Sequence, residues 1–133
     1  MDIKRYALSV FAGFIFVFIY EFIVHGILLI PTYDQTPSLW RSVEDMQNYI
    51  PFSTIIQLMT TAILAYIFTL NYEAKGLVEG LRFGVIFGLI FGLYAASPIS
   101  WMPISAALAF YWFIATFVKT VILGLIFSFI YKR

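Results

Sequence analysis

Four long apolar segments constrain this chain more than any other feature. They cover roughly residues 6–31, 50–71, 79–97 and 104–131, and a helix needs about 20 apolar residues to cross a bilayer. The chain is 62% hydrophobic and 11% charged, whereas soluble domains average about 25% charged residues. A soluble protein of 133 residues has too small an interior for so many apolar side chains. The sequence therefore predicts an all-α integral membrane protein, a single domain with four transmembrane helices in a bundle.

The distribution of Lys and Arg between the two ends of these spans predicts the orientation. With the N-terminus inside, only Arg41 lies on the outer side. The cytoplasmic side then holds Lys4, Arg5, Lys75, Arg82, Lys132 and Arg133. Because short cytoplasmic loops carry the excess of positive charge, both termini are predicted to be cytoplasmic. The first apolar stretch is too long for a signal-peptide core of about 7–15 residues, so we expect a retained span. The expected location is a bacterial or archaeal cytoplasmic membrane.

The loop between residues 32 and 49 is the longest polar stretch. Leu39, Val43 and Met46 recur there at helical spacing, and Ser42 before Asp45 is a helix N-cap signal. Pro51 lies at the predicted start of the second span, where a missing N–H costs little. We therefore expect a short separate helix at the outer interface, which would close over the bundle as a lid. The predicted lid residues are Tyr33, Trp40 and Arg41.

A stripe of glycines runs along the third span at four-residue spacing. Its members are Gly76, Gly80, Gly84, Gly88 and Gly92. Small residues let helix backbones approach closely in lipid, where no hydrophobic force drives helices together. Two interpretations are open: the stripe packs against another span of the same chain, or it forms the contact between two copies in a homodimer.

Three ionisable residues fall inside the predicted spans: Glu21, His25 and Lys119. A charge at the bilayer centre costs about 2.5–3.5 kcal/mol on insertion scales, so such groups are usually turned inward and paired. A rise of about 1.5 Å per residue puts Glu21 about 5 Å outside the midpoint of the first span. Lys119 then lies within about 3 Å of the midpoint of the fourth. A Glu21–Lys119 pair is therefore feasible, either as a structural ion pair or as part of a functional site. Snorkelling of the charged groups or a neutral Glu21 is a third interpretation.

Other polar residues fall at similar depth and could converge with these three on one pocket in the outer half of the bundle. We predict that its lining comprises Glu21, His25, Gln57, Tyr111, Trp112 and Lys119. The simpler interpretation of His25 is a hydrogen bond to a neighbouring helix. An intramembrane ionisable residue is nevertheless a functional candidate by default.

Several function classes find no support in the sequence. Glu21 and His25 share a helix face and could both bind a metal, but no second such pair accompanies them, and His25 is the only histidine. We therefore expect no metal site within one chain and no cofactor. The chain has no cysteine, no phosphate-binding loop and no serine-hydrolase motif. The net charge of +1 gives no indication of nucleic-acid binding.

Four stretches carry a recognisable layout: EFIVHGILLIPTY, LWRSVEDMQNYIPF, EGLRFGVIFGL and VILGLIFSFIYKR. Together they resemble a family of small four-span bacterial membrane proteins of unknown function, over nearly the whole chain. The resemblance implies a four-helix membrane fold and no particular activity, and Lys119 lies outside the shared pattern. The matching positions are His25, Gly26, Tyr33, Trp40, Arg41, Glu44, Asp45, Glu79, Gly80, Arg82 and Gly84.

Three functions remain open from the sequence. The first is a protein whose polar pocket binds or passes a small molecule, an ion or protons, with Glu21 as the titrating group. The second is an accessory or structural subunit that contacts a larger membrane partner and has no ligand of its own. The third is a membrane enzyme with acid–base groups near the outer interface, which no recognisable pairing of nucleophile and base supports. The bilayer itself is the one partner that all three require.

Overall fold

The structure is a computed structural model that describes residues 1–132. It contains four long helices and one short one, and no strand occurs in this part of the chain. All four long helices are long and apolar enough to cross a membrane, which confirms the predicted all-α four-helix fold. The helices are α1 (Ile3–Ile23), α2 (Ile30–Tyr33), α3 (Val43–Leu70), α4 (Leu77–Ala96) and α5 (Ala106–Ile130).

The four long helices run alternately up and down. At one end the backbone N–H of Asp2 donates to the Tyr131 hydroxyl at 3.0 Å, and the rings of Tyr72 and Tyr131 lie 5.2 Å apart. Both ends of the described chain and the α3–α4 turn therefore share this inner end. At the opposite, outer end, Trp40 of the first loop packs in one apolar cluster with Ile104, just before α5. Which end faces the cytoplasm stays a prediction from the charge distribution.

Glycines bring α4 and α5 into the closest contact in the bundle. Gly80, Gly84, Gly88 and Gly92 are buried against α5. A Cβ added at Gly84 would lie 2.6 Å from the Cα of Val121, so the two backbones leave no room for a side chain. The stripe is thus used within the chain, and a homodimer would have to use another face. The fifth glycine, Gly76, lies outside this contact. It is the N-cap of α4 and has a positive φ of 66°.

Helix α1 packs against both α3 and α5. Gly13 permits this, since a Cβ there would lie about 3 Å from Thr61 and Leu123. From Gly13 toward the inner end, apolar side chains form the core, and Phe68 and Phe127 are almost fully buried. Aromatic rings therefore form the core of the inner half, with a smaller cavity of about 280 Å³ between α3 and α4 beside Phe68.

The lid helix expected after Ser42 is not a separate element. The Ser42 hydroxyl does accept from the backbone N–H of Asp45, at 3.2 Å, but the helix that it caps is α3 itself. Pro51 lies inside α3 and does not end it, because a proline in a helix removes one backbone hydrogen bond and the rest of the ladder continues. The helical structure in the loop consists instead of α2 and a 3₁₀ turn, Pro37–Leu39.

Candidate functional site

An ion pair joins α1 to α5 near the middle of the bundle. Lys119 Nζ donates to Glu21 Oε1 at 2.5 Å. The two side chains are only 22% and 24% exposed, respectively. The sequence-based depth estimate had made this pair feasible, and the structure forms it. It satisfies one oxygen of the carboxylate and leaves the second free for another partner.

That second oxygen lies beside His25. The distance from Glu21 Oε2 to His25 Nε2 is 3.3 Å. Helix α1 changes here into a π turn over Val24–Leu28, closed by a 2.9 Å bond from Leu29 N–H to the Val24 carbonyl. Such single π turns inside α-helices are rare and frequently mark functional sites. The irregularity therefore coincides with the one histidine of the chain.

Tyr33 connects His25 to α5. Its hydroxyl lies 2.6 Å from His25 Nδ1 and accepts a 2.8 Å hydrogen bond from Trp112 Nε1. Because the indole N–H can only donate, the Tyr33 proton is free to point at Nδ1. The remaining imidazole proton then lies on Nε2 and faces Glu21. We call the connected residues the polar chain: Lys119, Glu21, His25, Tyr33 and Trp112.

The first loop holds Tyr33 in place from two sides. The Trp40 Nε1–H donates to the Tyr33 carbonyl at 3.1 Å, and the two rings meet edge-on at 5.1 Å. Burial raises the pKa of the Tyr33 phenol above its usual value; the hydrogen bond from Trp112 lowers it in part, and the negative charge of Glu21 raises it again. The phenol therefore stays protonated at neutral pH and can serve as a donor.

The polar chain ends at a cavity of about 730 Å³ in the outer end of the bundle. Small-molecule sites typically measure about 300–1,000 Å³ and combine apolar walls with a few polar groups. We call this space the outer cavity. Its lining residues are His25, Gly26, Ile30, Tyr33, Asp34, Pro37, Trp40, Arg41, Ser42, Val43, Met46 and Trp112. The three residues predicted to form a lid, Tyr33, Trp40 and Arg41, are all among them.

Of the six residues predicted to line the pocket, only His25 and Trp112 line the outer cavity. Glu21 and Lys119 lie behind His25 in the polar chain, and Gln57 and Tyr111 lie elsewhere. Tyr111 is 44% exposed and does not line the outer cavity. The Gln57 carboxamide oxygen is buried with no hydrogen-bond partner in the described chain. Since Thr61 lies opposite Gly13, Gln57 is roughly one helical turn deeper than Glu21. The sequence estimate had placed the midpoints of the predicted spans at equal depth, whereas α3 begins at Val43 and its midpoint lies further out along the chain than predicted.

Sequence reasoning did not predict that Tyr33 is a central member of the polar chain. It also assigned no role to Asp34. Tyr33 was expected in the lid, but nothing in the residue pattern indicates that its phenol reaches His25. That contact depends on the π turn and on α2, which set where Tyr33 lies relative to His25. Asp34 lines the rim of the outer cavity, and the residue pattern offered no reason to assign it to the site.

This arrangement places a run of hydrogen-bonding groups next to a space of ligand size. The Glu21 carboxylate accepts from Lys119 and lies near His25, and the His25 ring lies within hydrogen-bonding reach of the Tyr33 hydroxyl. Within residues 1–132, no group of three or more His, Asp or Glu side chains is close enough to hold a metal ion.

Comparison with protein-family models, curated proteins and solved structures found no match to this chain. The resemblance to four-span bacterial membrane proteins of unknown function therefore stays a prediction. The four apolar helices identify an integral membrane protein by length and composition.

Proposed function

We propose that this protein binds a small molecule in the outer cavity, and that the polar chain links binding to the Glu21–Lys119 pair. In this proposal the cavity opens away from the cytoplasm of a bacterial or archaeal cytoplasmic membrane. The observation that carries the proposal is the continuity from Lys119 through Glu21, His25 and Tyr33 to the cavity wall.

A purely structural ion pair would account for less of what is observed. Such a pair would hold α1 and α5 in register with Glu21 and Lys119 alone. It would need neither a histidine on the second carboxylate oxygen nor a π turn beside it. Three polar groups aligned toward a cavity, in a region where unpaired groups are costly, favour a functional role.

Binding would be linked to the pair through Tyr33. A ligand that hydrogen-bonds to the phenol competes with His25 Nδ1 for the phenolic proton. His25 then loses its hydrogen bond at Nδ1 and reorients, which changes its contact with Glu21 Oε2 and hence the pairing of Glu21 with Lys119. The packed rings of the inner half leave Phe68 and Phe127 almost fully buried, so this conformation favours binding over passage through the bundle.

Native mass spectrometry of the full chain, extracted in mild detergent, tests the proposal. Wild type is compared with Glu21→Gln and His25→Ala, and Glu44→Gln serves as control because it removes a carboxylate from the same end without touching the cavity. We expect a retained small-molecule mass in the wild type and the control, and its loss in the other two variants. The proposal would be contradicted if all four proteins retained the same bound mass, or none, after extraction with and without added membrane lipid extract.

A second candidate is an accessory subunit with no ligand of its own. The observation that favours it is the exposure of the outer half of α3. No residue from 43 to 60 is fully buried. Lipid or a partner protein would cover this surface. Co-purification of a stoichiometric membrane partner that persists in Glu21→Gln would support this candidate over ligand binding.

A further inference from the structure

The charged groups around the outer cavity do not cancel. Arg41 Nη1 bonds to Asp45 Oδ2 at 2.8 Å, and its guanidinium lies 4.1 Å from the centre of the Tyr49 ring. The Arg41 guanidinium is therefore paired with Asp45 and has the Tyr49 ring against one face, while its side chain stays 55% exposed. Asp34, on the same rim, is exposed and forms no ion pair or side-chain hydrogen bond within residues 1–132.

Deeper in the site the charges do cancel. Lys119 neutralises Glu21, and both sit behind His25, which separates them from the cavity. The carboxylate of Asp34 is thus the one cavity-lining charge without an opposite partner in the described part of the chain. An anion entering the cavity would meet this carboxylate and would have to displace Asp45 from Arg41.

The wall of the outer cavity is aromatic and apolar. The Trp40 and Trp112 N–H groups both point at Tyr33, so their rings contribute hydrocarbon and π surface to the wall. The faces of Trp and Tyr rings attract cations, by about 0.5–1 kcal/mol at exposed sites and about 2 kcal/mol where water is excluded. Ile30 and Met46 add apolar, adaptable surface on the other side.

We propose that the outer cavity takes an amphipathic organic cation. Its apolar body lies against Ile30, Met46 and the two Trp rings, and its positive charge lies between the aromatic wall and Asp34. This inference rests on the proposed function, since it names the class of ligand for the same cavity. It goes beyond it, because ligand binding linked to the polar chain does not itself require a cation.

Two ions of nearly the same shape and opposite charge, tetraphenylphosphonium and tetraphenylborate, test the sign of the preferred ligand. Binding of each is measured by equilibrium dialysis on the full chain in uncharged detergent, with empty micelles subtracted. We expect tetraphenylphosphonium to bind saturably, with an affinity that Asp34→Asn lowers by up to about five-fold, the range for an exposed charge pair. Glu44→Gln makes the same charge change on the same end, away from the cavity, and should leave the affinity unchanged.

The outcomes separate the two proposals, with Trp40→Leu added as a change in the aromatic wall. Tighter binding of tetraphenylborate that weakens in Trp40→Leu would overturn the cation and leave the cavity as a binding site. Equal losses of phosphonium affinity in Asp34→Asn and Glu44→Gln would assign the effect to general surface charge. No loss in Asp34→Asn would show that the Asp34 carboxylate does not attract the cation. Either result overturns the inference. If Trp40→Leu weakens the binding of neither ion, both the inference and the proposed cavity are overturned.

Discussion

At the residue scale, Tyr33 determines how the outer end is organised. One phenol oxygen serves both His25 on the π turn and Trp112 on α5, and the Tyr33 backbone carbonyl serves Trp40. A residue of the connecting segment thus holds two spans and the loop together. Its loss would leave two ring nitrogens without a partner in a low-dielectric setting.

Replacing Tyr33 by Phe keeps the ring and removes only the hydroxyl. We expect the free energy of unfolding to fall by about 0.5–1.5 kcal/mol, because the half-buried Trp112 N–H loses its acceptor and the exposed His25 Nδ1 loses its hydrogen bond. Thermal unfolding in detergent measures this, with the exposed Tyr49→Phe as matched control. Equal midpoints for the two variants would show that the hydroxyl contributes nothing to stability.

The Glu21–Lys119 pair predicts a specific pattern of non-additivity. Lys119→Met leaves the Glu21 carboxylate without its cation, and Glu21→Gln leaves the ammonium without its anion, so each single change should destabilise by about 1–3 kcal/mol. The double variant removes both charges and should be more stable than the sum of the single effects. A double-mutant cycle from unfolding midpoints that closes additively would show that the two groups do not interact.

At the element scale, the closeness of α4 and α5 depends on glycine. Small residues at this contact allow backbone approach that no side chain permits, whereas α1 meets α3 and α5 mainly through side chains such as Thr61 and Leu123. The pairing of α4 with α5 is therefore the most sterically specific contact of the bundle.

Adding one methyl group tests that contact. Gly84→Ala would place a Cβ 2.6 Å from the Val121 Cα, and because backbone cannot move aside cheaply we expect a loss of about 1–3 kcal/mol. Gly26→Ala, whose Cβ would meet only the Phe22 ring at 3.3 Å, is the matched control and should change stability far less. Oligomeric state, followed by size-exclusion chromatography, should stay the same in both, since the stripe faces α5.

At the scale of the whole molecule, the two ends differ in charge and in packing. The inner end holds most of the Lys and Arg residues and tightly packed rings, and the outer end holds the cavity. A chain without cysteine allows this polarity to be tested directly. Single cysteines at Ser42 and Lys132 report on opposite ends of the bundle.

If the charge distribution sets the orientation, a membrane-impermeant maleimide should label Ser42→Cys in intact cells and Lys132→Cys only after lysis. The cysteine-free parent measures background labelling. Labelling of Lys132→Cys alone in intact cells would reverse the orientation and place the outer cavity on the cytoplasmic side. Both positions are exposed, and loss of the Ser42 cap on α3 should cost about 0.5–2 kcal/mol of stability without changing which end is labelled.

The sequence by itself determined the fold class. Four runs of about 20 apolar residues in so short a chain are stable as helices that cross a membrane, where their side chains meet lipid and their backbone groups bond within each helix. It also indicated the Glu21–Lys119 pair, since depth along a helix follows from residue number. Only the tertiary structure decided that Tyr33 meets His25 and Trp112, and that Gln57 and Tyr111 lie apart from them. Those contacts depend on a π turn, on where α3 begins and on how the helices are rotated, and these are set by packing between spans rather than by the local apolar pattern.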